Sequence, residues 1–355
     1  MLIQENIPLA PLTTFKVGGP ARYFLEAISE EDVKNAVAHA AERQWPLFVL
    51  GGGSNLVIAD AGWPGLVLKV AISGITQPRE LGGDVFQVGA GHDWDSFVAH
   101  AVQENYAGIE SLSGIPGTAG GTPIQNVGAY GQEGANTITS VRVLEIATGQ
   151  IHELENGDCG FAYRSSIFNA TQQGRYIVLR VTYRLARNGA AKVEYADLRK
   201  YFSGFSGTPS LQQVRDAVRA IRQSKAMLIV EGDDDCRSAG SFFKNPVVSI
   251  AEAERIQALA HEIAPKETLP RYQAEDGLVK LSAAWLVEHA GIHKGYGHGP
   301  IGISRKHALA IVNRGGATAN DIIIFKNEIQ QRVLDVWGIR LHTEPVFVGF
   351  QGKCD

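Results

Sequence analysis

The hydrophobic pattern of the first 70 residues changes from helical to strand spacing. Apolar side chains recur at helical spacing at Val33, Ala36, Val37 and Ala40. Ser29 and Asp32 precede them as a capping box, which predicts that a helix begins there. Apolar runs at 46–50 and 65–70 predict two strands. This part of the chain is therefore expected to form a βαβ-like unit.

The middle of the chain alternates predicted strands with glycine-rich loops. The expected elements are strands at 85–89 and 176–185, a helix at 94–103, and a helix at 211–224 with a basic outer face. Apolar segments at 141–146 and 151–154 flank Ala147-Thr-Gly-Gln150, a pattern typical of a β-hairpin.

The C-terminal third mixes helices and strands. The expected elements are helices at 249–263, 282–290 and 318–337, a strand at 307–312, and a last strand at 346–350 that could return to an earlier sheet. Because no regular βα alternation runs through the chain, the predicted fold class is α+β rather than a doubly wound sheet. The predicted domains are 1–71, 72–224 and 225–344, with 345–355 returning to the first.

Composition narrows the class of protein. Of 355 residues, 45% are hydrophobic and 20% charged, which is typical of a globular chain and not of a disordered one. The formal net charge of −4 disfavours a nucleic-acid partner. With neither a long apolar run nor a signal-like N-terminus, no membrane association is expected.

The cysteines and histidines do not form a recognisable metal or disulfide pattern. The chain has an odd number of cysteines, and they are widely spaced, namely Cys159, Cys236 and Cys354. This pattern indicates a reducing compartment and hence a cytoplasmic protein. Cys159 is expected to be a packed thiol. The segment 233–235 is expected to be an exposed acidic turn, and the histidines between 289 and 307 are interrupted by glycines. No metal site is predicted.

Two glycine-rich loops are the candidate ligand-binding features. Gly51-Gly-Gly-Ser-Asn55 follows a predicted strand, and its backbone N–H groups could form a nest for an anion. The alternative is a tight turn between strands, because neither GxGxxG nor a P-loop fingerprint is present. The second loop, 113–131, contains Ile, Val, Pro and Tyr, which favours ordered backbone over a flexible linker.

Six motifs together resemble a known enzyme family. They are Thr14-Phe-Lys-Val-Gly-Gly19, Leu50-Gly-Gly-Gly-Ser-Asn-Leu56, the 114–131 loop, Tyr163-Arg-Ser-Ser-Ile-Phe168, Gly240-Ser-Phe-Phe-Lys-Asn-Pro246 and Thr343-Glu-Pro345. Found in this order over nearly the whole chain, they resemble the UDP-N-acetylenolpyruvoylglucosamine reductases, which act in peptidoglycan precursor synthesis.

The resemblance implies a fold, two cofactors and a reaction. The fold would be that of vanillyl-alcohol-oxidase-type flavoproteins, with two N-terminal subdomains holding non-covalent FAD and a third domain covering the substrate. NADPH would reduce the FAD, which would then reduce the enolpyruvyl double bond of UDP-N-acetylglucosamine enolpyruvate to give UDP-N-acetylmuramate. The family-like oligomeric state is a monomer.

The resemblance also assigns residues to the flavin. The first loop would wrap the pyrophosphate and the second would line the flavin and its ribityl chain. The residues implied are Leu50, Gly51, Gly52, Gly53, Ser54, Asn55, Leu56, Ser113, Gly114, Ile115, Pro116, Gly117, Thr118, Gly121, Thr122, Gln125, Asn126, Gly128, Ala129 and Tyr130.

Three residues are implied as catalytic. Hydride transfer to C3 of the enol ether leaves negative charge at C2 and on the attached carboxylate. By the family pattern, Ser241 protonates C2 while Arg164 and Glu344 stabilise the intermediate. The residue types suit this, because Arg164 offers a planar bidentate donor to a carboxylate and serine carries no charge to repel it.

Six further residues are implied as substrate contacts. They are Tyr163, Tyr195, Lys225, Asn245, Lys280 and Trp285. Tyr195 marks the subtype in which a mobile tyrosine loop closes over the substrate. The stretch 226–237 is longer than the linker of some members.

Two other functions compete with the reductase. An FAD oxidase or dehydrogenase of the same fold class often uses a histidine for covalent attachment or as a base, and His92 alone flanks the second glycine loop. A non-catalytic sugar-nucleotide binder would need neither flavin nor the three catalytic residues.

Overall fold

The computed structural model describes residues 2–274 and 277–352. The chain divides into two compact units. The first contains Ala21–Gly53 and Trp63–Ser224, together with the N-terminal residues through Ile7. The second contains Pro8–Pro20, Ser54–Gly62 and the chain from Lys225 onward. The three-domain division given above stays a prediction.

The elements are as follows. The strands through Arg187 are β1 Gln4–Pro8, β2 Pro20–Ala27, β3 Leu47–Leu50, β4 Leu56–Ile58, β5 Trp63–Val70, β6 Ile75–Thr76, β7 Val85–Gly89, β8 Tyr106–Ala107, β9 Gly128–Ala129, β10 Gln132–Glu133, β11 Ile138–Glu145, β12 Ile151–Glu155, β13 Tyr176–Arg184 and β14 Ala186–Arg187. The later strands are β15 Val247–Ser249, β16 Arg271–Gln273, β17 Leu278–Leu281, β18 Gly297–His298, β19 Ile301–Ile303, β20 Ile311–Asn313 and β21 Val346–Val348. The α-helices are α1 Glu30–Glu42, α2 Trp94–Gln103, α3 Ala196–Tyr201, α4 Leu211–Ser224, α5 Ile250–Ile263, α6 Ala283–His289 and α7 Ala319–Trp337.

The N-terminal sheet confirms the predicted βαβ arrangement. Its strand order is β1-β2-β5-β3, and β5 pairs in parallel with both β2 and β3. The helix between β2 and β3 begins where the capping residues predict, because the Ser29 side chain accepts a hydrogen bond from the backbone N–H of Asp32. Val33, Ala36 and Ala40 of this helix are buried against the sheet.

The first unit also contains an antiparallel sheet of five strands. Its order is β12-β11-β13-β7-β6, and the predicted hairpin is present as β11 and β12. The basic outer face predicted for α4 is only partly right. Arg215 and Arg222 are each 8% exposed, because they turn inward to the second glycine loop, whereas Arg219 stays more accessible.

Within its described residues, the second unit carries small sheets and three α-helices. Its sheets are β15-β17-β16, β18-β19-β20 and the parallel pair β21-β4. The predicted helices are confirmed as α5, α6 and α7. The last strand does return to an earlier segment, since Val346–Val348 pairs with Leu56–Ile58. Residues 353–355, which include Cys354, lie outside the described part of the chain.

Two local predictions in this unit need correction. The strand expected at 307–312 begins only at Ile311. Residues 308–310 are buried but lie outside any strand, so their apolar character reflects burial and not strand structure. The acidic turn is not fully exposed either. Asp235 is 6% exposed and accepts hydrogen bonds from the Ser304 hydroxyl and the Arg305 backbone N–H.

Two further predictions concern the thiol of Cys159 and the membrane. Cys159 is completely buried, as expected of a packed thiol, and desolvation together with Asp158 and Glu155 raises its pKa to about 12. Among the described helices, none combines the length and apolar character needed to cross a membrane.

Candidate active site

The two glycine-rich loops meet backbone to backbone in the first unit. A Cβ added to Gly52 would lie 2.5 Å from Cα of Gly117, and one added to Gly51 would lie 3.3 Å from Oγ1 of Thr118. No side chain larger than hydrogen fits at Gly52. By contrast, a Cβ at Gly121 meets no protein atom within 4 Å. The loops therefore form a tight backbone cradle with open space beside it.

The second loop is held against the five-stranded sheet. The backbone N–H of Ala119 donates to the backbone carbonyl of His92, and that of Gly120 donates to the backbone carbonyl of Ala90. The hydroxyls of Thr122 and Tyr183 lie 2.6 Å apart. This loop is ordered backbone, as its composition predicts.

A partly buried charge network fixes the start of the same loop. Asp95 on α2 forms two hydrogen bonds with the guanidinium of Arg215, of 2.6 and 2.9 Å, and accepts a third from the N–H of Gly114. Arg215 also donates to the Ser113 hydroxyl at 2.9 Å. Burial alone would raise the pKa of Asp95, but these donors and the charges of Arg215 and Arg219 lower it below its usual value. The carboxylate therefore stays ionised and keeps the loop in place.

Arg222 connects the start of this loop to Tyr130. Its Nε donates to the carbonyl oxygen of Gly114 at 3.1 Å, and its side chain hydrogen-bonds that of Tyr130. Desolvation lowers the pKa of Arg222, with a smaller contribution from Arg164 and opposing ones from Tyr130 and Asp95. The Tyr130 ring meets the ring of Tyr195 edge to face, with centroids 5.6 Å apart. Tyr130 therefore contacts both the buried Arg222 and the ring of Tyr195.

Arg164 occupies a strained backbone position in the first unit. Its φ of +53° is in the left-handed region, which is unfavourable for a residue with a Cβ. Reciprocal backbone bonds between Ala162 and Ser165 close this turn, and the Asn169 side chain donates to the Arg164 carbonyl. Nη1 of Arg164 donates to the Gly128 carbonyl at 2.9 Å. The predicted carboxylate donor therefore lies beside the second glycine loop.

Tyr163 precedes this arginine and is 44% exposed. The Arg164 guanidinium lies 5.8 Å from the centroid of its ring.

Ser241 and Glu344 lie on adjoining antiparallel segments of the second unit. Phe243 and Thr343 form a β-bridge, and the N–H of Glu344 donates to the carbonyl of Phe242 at 2.9 Å. Residues separated by about 100 positions are thereby placed side by side. The structure thus brings two of the three predicted catalytic residues onto one scaffold.

Asn55 joins the same scaffold. Its Nδ2 donates to the backbone oxygen of Glu344 at 3.2 Å, and its backbone carbonyl accepts a hydrogen bond from the backbone N–H of Val346. The carbonyl of the preceding Ser54 accepts a hydrogen bond from the Thr14 hydroxyl. The N-terminal and C-terminal motifs therefore meet in the second unit, whereas Gly51–Gly53 belong to the first.

Ser241 contacts a histidine. Its Oγ lies 3.2 Å from Nε2 of His307. Desolvation, together with the charges of Lys225 and Lys294, lowers the pKa of His307 to about 4. The imidazole is therefore neutral near pH 7.

The other predicted substrate residues belong to the second unit apart from Tyr163 and Tyr195. Oδ1 of Asn245 accepts from the N–H of Ala283 at the start of α6, and Lys280 lies on β17 opposite Val247. Trp285 is 8% exposed, stacks on His289 and donates to Glu267. Trp285 is thus mainly a packing residue in this arrangement.

Sequence reasoning missed three residues that the structure brings to these sites, namely Arg215, Arg222 and His307. A signal was present for the arginines, since Arg215, Arg219 and Arg222 recur at helical spacing on α4. No local signal marks His307, because its partner Ser241 is 66 positions away. Within 2–274 and 277–352, no cluster of metal-ligating side chains is present.

Two sequence profiles match the chain. The profile of an FAD binding domain matches residues 21–155, and that of the UDP-N-acetylenolpyruvoylglucosamine reductase C-terminal domain matches residues 232–348. A UDP-N-acetylenolpyruvoylglucosamine reductase of Thermobifida fusca is 46% identical over 97% of this chain and 98% of its own length. The chain belongs to the UDP-N-acetylenolpyruvoylglucosamine reductase family.

Other similar proteins agree with this membership. The reductase of Mycobacterium tuberculosis is 43% identical over 98% of this chain and 95% of its own length. The crystal structure of the Thermus caldophilus reductase superposes with a TM-score of 0.66 at 26% identity, covering 98% of this chain and all of that one. The protein is thus an FAD-dependent oxidoreductase of the reductase family, and its α+β, FAD-binding fold is confirmed.

The residues present suit FAD on structural grounds. Gly52 packs too closely against the Gly117 backbone for any Cβ, so the two loops are held together there, and a Cβ at Gly121 would meet no protein atom within 4 Å. Backbone N–H groups without side chains can approach a pyrophosphate closely.

Proposed function

We propose that this reductase converts UDP-N-acetylglucosamine enolpyruvate to UDP-N-acetylmuramate, with NADPH as the reductant and FAD bound non-covalently. The observation that carries the proposal is the pairing of the 241–244 and 342–344 segments, which puts Ser241 and Glu344 on one scaffold. The near-full-length similarity to curated reductases supports the substrate. The protein is proposed to be a cytoplasmic monomer.

The proposed flavin site is the glycine cradle. Gly51, Gly52 and Gly53 would hold the pyrophosphate, and the loop from Ser113 to Tyr130 would line the flavin. When bound, FAD would accept hydride from NADPH and deliver it to C3 of the enolpyruvyl group. Arg215 and Asp95 would hold the loop in its binding conformation, since both bond to Ser113 or Gly114.

Ser241 is proposed as the proton donor to C2. A hydroxyl is a weak acid, so its transfer requires a strongly basic carbon and a site with little water. A neutral donor also avoids repelling the substrate carboxylate. General acid catalysis of this kind is worth about 10²–10⁴-fold in rate.

Arg164 and Glu344 are proposed to stabilise the charge that develops on the substrate carboxylate. The guanidinium of Arg164 can donate two parallel N–H bonds to it. The strained φ of Arg164 supports a functional role, because such strain persists where the surrounding structure enforces it. Glu344 would contribute only if it is protonated or through a shared proton.

The UDP portion is proposed to contact Tyr195, Lys225 and Asn245, where a cation and two polar groups suit a diphosphate. Tyr195 is 43% exposed on the segment before α3, which is consistent with a residue that closes over a ligand. Tyr163, Lys280 and Trp285 complete the proposed set. Trp285 has the weakest support, because it is buried.

The first experiment is an anaerobic absorbance titration of the purified protein. We expect a yellow flavin spectrum that NADPH bleaches and that the enolpyruvyl UDP sugar restores. Bleaching without restoration would contradict the proposed substrate. No flavin after addition of FAD would overturn the enzyme assignment in favour of a sugar-nucleotide binder. A flavin that stays with acid-precipitated protein would contradict non-covalent binding and favour the oxidase alternative.

Two variants then test the flavin cradle without relying on turnover. Gly121→Ala adds a methyl group that meets no protein atom, so the apoprotein should keep its thermal stability. If FAD lies against this glycine, the variant should bind FAD at least tenfold more weakly by fluorescence titration. Gly83→Ala is the matched control, because Gly83 is equally unobstructed and lies outside both loops. Unchanged FAD affinity in Gly121→Ala would remove Gly121 from the site.

Ser241→Ala tests the proton donor. Reduction of the bound flavin by NADPH should stay within about twofold of wild type, whereas reoxidation by substrate should slow by at least about 10². Equal slowing of both half-reactions would remove Ser241 from this role.

A further inference from the structure

His307 is a titratable side chain that lies beside the proposed proton donor. Its Nε2 lies 3.2 Å from Oγ of Ser241, within hydrogen-bond distance. The proposed function gives this histidine no task.

The backbone around the pair fixes its geometry. The N–H of Phe242, next to Ser241, donates to the carbonyl of Leu309 at 2.8 Å. The N–H of Ala310 donates in turn to the carbonyl of His307. The serine and the histidine therefore sit on two segments joined by a backbone hydrogen bond, and the Ser241–His307 contact follows from that register.

The segment before His307 is anchored as well. The buried carboxylate of Asp235 accepts hydrogen bonds from the Ser304 hydroxyl at 3.1 Å and the Arg305 N–H at 2.9 Å. Asp233 forms an ion pair with Lys306. The long stretch 226–237 thus has an identifiable role, since it holds the loop that presents His307.

Burial and two nearby cations keep the His307 imidazole neutral near pH 7. Desolvation is the largest cause of its lowered pKa, and Lys225 and Lys294 add electrostatic repulsion. A neutral imidazole carries one N–H and one lone pair. If the N–H is on Nε2, it points at the serine oxygen, and the serine hydrogen is free to point elsewhere.

We propose that His307 is a positioning residue that donates a hydrogen bond from Nε2–H to Oγ of Ser241. This inference rests on the proposed role of Ser241. The bond would orient the hydroxyl hydrogen toward C2 of the substrate and stabilise the oxygen as the proton leaves. The O–H bond breaks and leaves its electron pair on Oγ, while the electron pair of the substrate carbanion forms the C2–H bond. Oγ regains a proton from water before the next turnover.

The experiment compares His307→Phe, which keeps a ring but has no donor, with His307→Gln, whose amide keeps an N–H. Stopped-flow absorbance of the FAD-loaded enzyme measures each half-reaction. In His307→Phe, reduction by NADPH should stay within about twofold, and reoxidation should slow at least about tenfold. His307→Gln should recover most of the reoxidation rate. His261→Leu, an exposed histidine on α5, is the matched control and should match wild type in both half-reactions.

A double variant separates positioning from an independent effect. Because His307 acts through Ser241, Ser241→Ala with His307→Phe should reoxidise no more slowly than Ser241→Ala alone. Multiplied losses would overturn the proposal. If Ser241→Ala is slow and His307→Phe is normal, the proposal fails while the proposed function stands. If Ser241→Ala itself is normal, the proposed function fails first. Should His307→Phe not retain FAD, His307→Met replaces it, with the same expected and overturning results.

Discussion

The side-chain amide of Asn55 donates a hydrogen bond of 3.2 Å to the backbone carbonyl oxygen of Glu344, 289 positions later in the chain. Asn55 also accepts a backbone bond from Val346, which lies just beyond Glu344. The end of the first glycine motif therefore holds the segment that carries a proposed catalytic carboxylate. This is a different task from the flavin contact that the motif by itself implies.

Asn55→Ala distinguishes these two tasks. Loss of a single hydrogen bond of this kind costs about 1 kcal/mol, so we expect reoxidation by substrate to slow about fivefold to tenfold while FAD is retained. Half-reaction kinetics and a flavin-to-protein absorbance ratio measure both effects. Loss of FAD with a normal reoxidation rate in the remaining holoenzyme would instead identify Asn55 as a flavin ligand.

Gly52→Ala should disrupt the glycine cradle. The added Cβ would lie 2.5 Å from Cα of Gly117, and backbone at that distance must move. We expect a thermal midpoint several degrees lower and impaired FAD retention, measured by circular dichroism and flavin absorbance. Gly83→Ala serves as the control because its Cβ meets nothing within 4 Å. A wild-type midpoint in Gly52→Ala would show that the two loops separate easily.

Arg215→Ala should be more destabilising than Arg219→Ala. Both arginines contact Asp95, but the side chain of Arg215 is 10% exposed and that of Arg219 is 38% exposed. Removing the buried partner leaves a partly uncompensated carboxylate and costs about 3 kcal/mol, whereas an exposed ion pair contributes about 1 kcal/mol or less. Thermal midpoints of the two variants test the order, and equal midpoints would contradict it.

His307 should make the protein less stable in acid. Its pKa is about 4 in the folded chain against 6.5 ordinarily, so the unfolded state binds more protons between these values. Its contribution is therefore fully present above pH 6.5 and is lost as the pH falls toward 4. The loss is about 2 kcal/mol between pH 7 and 5. His307→Gln should show a smaller drop in thermal midpoint over that range, and an identical drop would refute this assignment.

Cys159 should be unreactive in the native protein. Burial and the neighbouring Asp158 and Glu155 raise the pKa of its thiol to about 12, so the thiolate is about one part in ten thousand at pH 8. Iodoacetamide labelling followed by peptide mass mapping should find Cys159 unmodified in buffer and modified in guanidinium. Modification in buffer would show that this part of the fold opens readily.

Local sequence determined most of the regular structure and the order of the motifs. Helix α1 illustrates the reason, since Ser29, Asp32 and the apolar positions that follow are close in sequence and act within one turn or face. The glycine loops are readable for the same reason, because their backbone freedom belongs to the residues themselves.

The tertiary structure alone decided which distant residues meet. Asn55 with Glu344, Arg215 with Asp95, and His307 with Ser241 are separated by 289, 120 and 66 positions. It also decided that Arg215 and Arg222 point inward, and that the apolar residues 308–310 form a buried turn and not a strand. Hydrophobicity along a chain reports burial and periodicity, whereas the partner of a buried polar group depends on how separate segments pack.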